Sequence, residues 1–196
     1  MVFGEERAFE PLTVNEALRD DDITLTKGFI NFTGQVDPTG RSILFGDPSQ
    51  QDPTAYEAKS MCRAFWYVLH AMLEDEETQK KGIVGIVWPH HVSLKQLDKK
   101  LMKLNTDSLR NCIPVRVSAL HICHPPRIFS VIFPVLKFFM GEVIKKRIRV
   151  HSGSEEKVLK YLEEVGLTKD RVPSQLGGDV PIDMKKWIQE RREAGL

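Results

Sequence analysis

Histidine and cysteine are the side chains most able to do chemistry in this chain, and they gather in few places. His121 and His124 bracket Cys123, and His90 adjoins His91. A metal site needs ligands whose spacing turns them toward one point. His121, Cys123 and His124 close an apolar run that reads as a strand, where alternation sends neighbours to opposite faces, and no carboxylate or second cysteine pair accompanies them. These histidines are expected to be structural, and no metal is expected. The cysteines are three in number, Cys62, Cys112 and Cys123, without metal-type spacing and within apolar stretches, which suits small hydrophobes in a reducing compartment. The run GIVGIV at 82–87 lacks a third glycine and a strand-to-helix context, and neither a GxxxxGK[ST] loop nor a GxSxG elbow occurs. With no nucleophile, base or metal set visible, a non-enzyme with no cofactor is expected.

Charge offers a different chemistry. Lys and Arg total 28 against 27 Asp and Glu, a net charge of +1, so no global field draws the chain to nucleic acid. The basic residues that matter are local: Lys145, Lys146, Arg147 and Arg149 follow one another closely, with Arg116 upstream. They come directly after the most apolar segment, 128–140, where Ile128, Phe129, Val131, Ile132, Phe133, Val135, Leu136 and Phe138 surround a helix instead of marking one side. Such a helix needs a second apolar partner. It is either a central core helix with a solvated charged end, or a lid over a lipid pocket with a basic collar for anionic headgroups. Interrupted by Pro134 and Lys137, the segment falls short of the roughly 20 apolar residues that a spanning helix requires.

Other elements must position these residues. The length of 196 residues suits one domain, and the apolar content of 41% suits a folded, soluble one. Residues 1–28 form an acidic lead-in that includes Leu12, the run Asp20-Asp21-Asp22 and Ile23. Its opening carries acids where a signal peptide is basic, so a cytoplasmic location with a silent Asn31-Phe32-Thr33 sequon is expected. Two short apolar runs flank Asp37-Pro38-Thr39-Gly40, which predicts a hairpin. Apolar spacing predicts one long helix from Thr54 to Glu77, then a buried strand over 82–88. Ser93 is expected to cap a helix striped by Leu94, Leu97, Leu101 and Leu104, with Lys95, Lys99, Lys100 and Lys103 on a solvated face. Residues 114–123 predict another strand, and a short one follows near Arg149. Ser152 and Glu155 suggest a capping box for a helix ended by Gly166, and a last helix over 182–194 starts at Asp183. Alternating strands and helices predict an α/β domain over 29–196 with a largely parallel sheet.

In this order the segments resemble the CRAL-TRIO lipid-binding family. The resemblance rests on Asp37-x-x-Gly40-Arg41, Lys81-Gly82-Ile83, Ile113-Pro114-Val115-Arg116, His121-x-x-His124-Pro125, Lys137-Phe138-Phe139, the run Lys146 to His151, and Val172-Pro173-x-x-Leu176-Gly177-Gly178. It covers about residues 29 to 180. It implies a mixed, mostly parallel sheet as the floor of a pocket, flanked by helices and closed by an apolar gate helix, and one hydrophobic ligand such as a phospholipid, tocopherol, retinal or another isoprenoid. The chain departs from the family at Ile113, where Tyr or Phe is usual, and at Trp88-Pro89, where an acid is usual. Val115 and Ile144 replace the acid and Thr found in members that hold an inositol headgroup inside the fold.

The expected function is therefore extraction of a hydrophobic lipid from one membrane and its release at another, with transient docking on anionic, phosphoinositide-bearing membranes. A lipid-sensing regulatory or scaffolding module is the alternative. Candidate pocket residues are Phe65, Leu69 and Met72 on the first long helix, Val84 and Ile86 on one strand, Val117 and Ala119 on the next, and Ile128, Phe129, Ile132, Phe133 and Leu136 on the lid. Burying each large lid side chain contributes roughly 1.5–3 kcal/mol, so opening is costly in water and much less so against lipid. Candidate headgroup residues are Arg116, Lys145, Lys146, Arg147 and Arg149.

Overall fold

Asp37 organises the first turn of the sheet. Its carboxylate accepts hydrogen bonds from the Thr39 and Arg41 amides at 2.9 and 3.0 Å and from the Thr39 hydroxyl at 2.8 Å. Gly40, at φ 81°, supplies the left-handed conformation that closes the turn. The computed structural model describes residues 13–19, 24–27, 29–111, 115–140 and 142–196. Of the positions singled out above, Leu12, Asp20, Asp21, Asp22, Ile23, Cys112, Ile113 and Pro114 lie outside the described residues. Within the lead-in, Thr13 caps the short helix α1 (Val14–Leu18) through a capping box with Glu16. The turn at Asp37 then joins β1 (Ile30–Val36) to β2 (Ser42–Gly46) as the expected antiparallel hairpin.

The long helix expected over 54–77 is two helices, α2 (Ala58–Met72) and α3 (Glu76–Lys81). The break has an electrostatic reason. The acids from Glu74 to Glu77 would crowd the negative C-terminal end of one helix, but they suit the N-terminus of a second. There Asp75 accepts the Thr78 amide at 2.7 Å. After α3, β3 (Ile83–Val87) begins at Gly82, whose φ is 89° and whose added Cβ would lie 2.1 Å from the Arg116 carbonyl oxygen. Ser93 caps only a single 3-10 turn, and Asp98 starts α4 (Lys99–Asn111) by accepting the Leu101 amide at 2.9 Å. Leu94 therefore lies outside the helical stripe and is exposed, while Leu101 is buried.

Beyond β4 (Val117–Cys123) come α5 (Phe129–Phe139), α6 (Glu142–Lys145), β5 (Ile148–His151), α7 (Glu155–Glu164) and α8 (Met184–Glu193). Ser154, not Ser152, caps α7, because Gly153 at φ 131° turns the chain between them. Gly166 closes the turn after α7 and Asp183 caps α8, as expected. Among the described residues no helix is long and apolar enough to cross a membrane.

Among the described residues the sheet has five strands in the order β1-β2-β3-β4-β5, with β2 to β5 all parallel. This is the mixed, mostly parallel sheet expected from the sequence. Parallel crossovers are right-handed, and in a sheet whose order never reverses that puts every crossover helix on one face. The contacts agree: α2 packs on α4, α4 on α5, and α6 on β4. On this face Leu69, Met72, Tyr67 and Val68 of α2 form a core with Ile30 and Ile83, joined by Met184 and Ile188 of α8. Val158 and Leu162 of α7, with Leu167, Val172 and Leu176, cover the other face against Ile43, Phe45, Val84 and Ile86.

Candidate functional site

Helix α5 has an inside and an outside, and both are apolar. Phe129 and Ile132 are buried, and Ile128, Phe133, Val135 and Leu136 are half-buried. On the outside Val131 is 57% exposed and Phe138 81% exposed, with Val143 of α6 exposed beside them in the chain. The rings of Phe129 and Phe133 stack at 4.9 Å, and the Lys137 ammonium lies 4.5 Å over Phe133, so the charge caps an apolar ridge without interrupting it. Beneath, β4 is an interior strand, yet Val117 and Leu120 remain half-buried. Leu120 lies beside Gly85 on β3, its paired residue on the crossover-helix face. Apolar surface thus remains accessible between the middle of the sheet and the helices that cross it.

The sheet divides the candidate pocket residues. Phe65, Leu69, Met72 and Val117 belong with the α2 face, where Leu69 and Met72 are fully buried in the core. Val84, Ile86 and Ala119 lie on the α7 face, packed with Leu162, Leu167 and Leu176. They cannot line one cavity with Leu69 and the α5 residues, so Val84, Ile86 and Ala119, expected on the lid side, lie on the opposite one. The physical reason is a register irregularity: Ile83 pairs with Val117, but Val84 pairs with Ala119. One extra residue in β4 at that point turns Val117 and Ala119, two apart in sequence, to opposite faces.

Ala119 instead floors a notch of about 210 Å3 on the α7 face, together with Val84, Ser118, Val165 and Leu167. Its walls are Asp37, Arg41, His121, Arg147 and Arg149. Parallel register assembles them, because His121 on β4 pairs with Arg149 on β5 and both point to the same side. Arg149 donates its Nη1 to the Lys146 and Ile148 carbonyls, each at 2.9 Å, and Arg147 donates its Nη1 to the Val117 carbonyl. Neither has a carboxylate partner among the described residues. Arg41 is held by Asp37 through Nε at 2.6 Å. Burial alone would push the Asp37 carboxyl up, but the hydrogen bonds from Arg41 and Thr39 outweigh it and hold it below the usual range.

Of the candidate headgroup residues, the structure brings together Arg147 and Arg149. Lys145 is paired with Glu142 at 2.6 Å, and Arg116 and Lys146 are exposed outside the notch. Sequence spacing does not identify Arg41 and His121 as notch residues: period-two alternation places 119, 121 and 123 on one face, but the strand pairing that adds Arg41 and Arg149 is not visible in the sequence. His121 donates to or accepts from His151, Nδ1 to Nε2 at 2.9 Å, with the rings stacked 5.2 Å apart. Burial, then the nearby His151, Arg149 and Arg41, push the His121 imidazole down to about 4. The Cys123 thiol is pushed up to about 12 by burial, which disfavours the thiolate. His90 stacks on Trp88 at 5.1 Å and meets His91 at 4.1 Å in an edge contact.

The described residues thus form a three-layer α/β domain with an apolar helix on the crossover side of the sheet and a basic notch on the other. The chain belongs to the CRAL/TRIO domain family, whose profile matches residues 26–178. It is similar to the alpha-tocopherol transfer protein-like protein of Mus musculus, 31% identical over 179 residues, covering 87% of this chain and 49% of that protein. It is also similar to clavesin-2 of Rattus norvegicus, 28% identical over 192 residues, covering 96% of this chain and 55% of that protein. The chain thus spans about half the length of the curated relatives it matches. The crystal structure of Sfh5 shares the fold, with a TM-score of 0.65 at 15% identity, over 97% of this chain and 72% of that one.

Proposed function

We propose that this chain binds a hydrophobic lipid, a phospholipid or an isoprenoid such as tocopherol, between α5 and the α2 face of the sheet, and carries it between membranes. The observation that carries the reading is α5 itself: Phe129 and Ile132 turn inward while Val131 and Phe138 are presented outward. An element apolar on both sides loses little when it exchanges protein for bilayer. Arg147 and Arg149, without carboxylate partners among the described residues, supply the docking charge for anionic membranes that contain phosphoinositides, at about 1 kcal/mol per basic residue near the surface. The action takes place in the cytoplasm with transient membrane contact, and it is binding and release without chemistry on the lipid. Family membership and the similarity to a protein named for tocopherol transfer support this reading.

Mass spectrometry of lipids that co-purify with the protein, followed by donor-to-acceptor vesicle exchange of the lipid found, tests it. Exchange accelerated in proportion to protein concentration is the expected result. A bound lipid that does not exchange would assign the chain to the sensing or scaffolding alternative, and an empty protein that extracts nothing would end both.

A further inference from the structure

The paired histidines under the basic notch have no part in holding a hydrophobic lipid, and their position gives them another task. His121 is 4% exposed and lies on β4 at the wall of the notch, with His151 on β5 at 2.9 Å between Nδ1 and Nε2. One hydrogen bond joins two rings that each carry a further nitrogen. In the neutral pair one ring donates and the other accepts. A single added proton, placed on the donor ring's second nitrogen, keeps that bond and makes it charge-assisted, while a proton on the accepting nitrogen would break it. The pair is therefore built to accept one proton.

The groups that face the pair decide when it does so. Arg149 stands beside it on β5, and Arg41 reaches in from the β1–β2 turn with Asp37 bound to it. From α7 comes the Tyr161 ring, 5.8 Å from His151, with the Lys157 ammonium 5.8 Å over that ring. Val165 and Leu167 close the rest with apolar surface. These cations and the burial oppose a further positive charge, and both imidazoles are held below their ordinary range. Burial is the larger part of that opposition and persists, but an anion seated against Arg41, Arg147 and Arg149 cancels the cationic part and itself favours a protonated pair.

We infer that the notch is a proton-linked phosphate site: Arg41, Arg147 and Arg149 hold the phosphate of an anionic headgroup presented by a membrane, and the His121–His151 pair takes up one proton as it binds. This rests on the headgroup-docking reading above and adds its regulation. Affinity for the membrane rises as pH falls, so that docking is favoured at acidified membranes and release at neutral ones.

The test uses the whole chain with two probes, free inositol trisphosphate and phosphatidylcholine vesicles that carry phosphatidylinositol bisphosphate. The probe phosphates titrate too, so the informative quantity is the pH dependence of the wild type relative to that of His151→Gln. Between about pH 7.5 and pH 5.5 the wild type gains about tenfold in affinity over the variant, with about one more proton taken up, counted by calorimetry in buffers of different ionisation enthalpy. NMR titration of the histidine ring signals of the wild type, with and without inositol trisphosphate, needs no variant and shows the pair titrating at higher pH in the complex. Binding of both probes with unmoved ring signals and no difference between the proteins would overturn the proton linkage and leave the docking reading intact. Absence of binding at every pH would overturn the docking reading itself. Binding of free inositol trisphosphate with vesicles ignored would overturn the membrane as the source of the phosphate.

Discussion

The guanidinium of Arg191 on α8 grips the carboxylate of Glu74, 117 residues away, with both Nη atoms engaged at 2.7 and 2.5 Å. Its Nε donates to the Tyr67 hydroxyl at 2.6 Å, and its plane lies 5.4 Å over the Tyr67 ring. A two-pronged, partly buried ion pair is worth more than an exposed one, about 1–2 kcal/mol after allowance for solvent. Arg191→Ala is expected to lower the thermal midpoint by about 2–8 °C, and Arg191→Lys to recover little, because an ammonium cannot engage both oxygens and the hydroxyl together. A lysine variant that melts with the wild type would show that the fork is not what anchors α8.

The division of the sheet's faces makes a paired prediction. Ala119→Trp overfills the core under α7 and should cost about 1–3 kcal/mol of stability in a denaturant titration, while lipid uptake per folded molecule is preserved. Leu120→Trp, one residue on, projects from the crossover-helix face of β4, where the lipid is proposed to sit, and should abolish uptake of a fluorescent lipid. The reverse outcome would move the lipid to the α7 face.

Phe138 is 81% exposed at the end of α5. Phe138→Asp is expected to leave the melting curve in place and to weaken vesicle sedimentation by tenfold or more, the equivalent of losing about 1.5–3 kcal/mol of apolar burial. Unchanged partitioning would place the membrane contact elsewhere on the molecule.

His121 ties stability to pH in the unliganded protein. Its imidazole is at about 4 in the folded state against an ordinary value of 6.5. The unfolded chain therefore binds more protons in that interval, and stability is full above about pH 6.5 and declines as pH falls toward about pH 4, by up to about 3 kcal/mol. Urea titrations across this interval should show the slope in the wild type and a flatter one in His121→Gln. Equal slopes would assign the acid sensitivity to other groups.

Much of the fold was legible because it lies in the order of apolar runs. The hairpin at Asp37, the strands around Val84 and His121 and the cap at Asp183 follow from local chemistry, which sequence displays directly. What was hidden depends on pairing. The irregular residue in β4 turns Ala119 away from Val117, and no period-two pattern reveals where such a residue sits. Arg41 and Arg149 are 108 positions apart, and only the registers of three strand pairs bring both to His121. The break after Met72 was missed for a different reason: the acids from Glu74 to Glu77 read as the solvated tail of one helix when they are the favoured start of the next.

The strand order carries a consequence for how the chain is made. Because spatial order equals chain order, every strand from β2 onward finds its partner already placed when it emerges during synthesis. The hairpin of β1 and β2 closes locally, and each later strand, with its crossover helix, then adds to a single growing edge. At no stage must a finished pair be pried apart to admit a latecomer, which is the step that slows and exposes sheets of interleaved order. Assembly by accretion confines growth to the edge away from β1, and β5, the last to arrive there, is four residues long, too short to offer much of a template to a neighbouring chain.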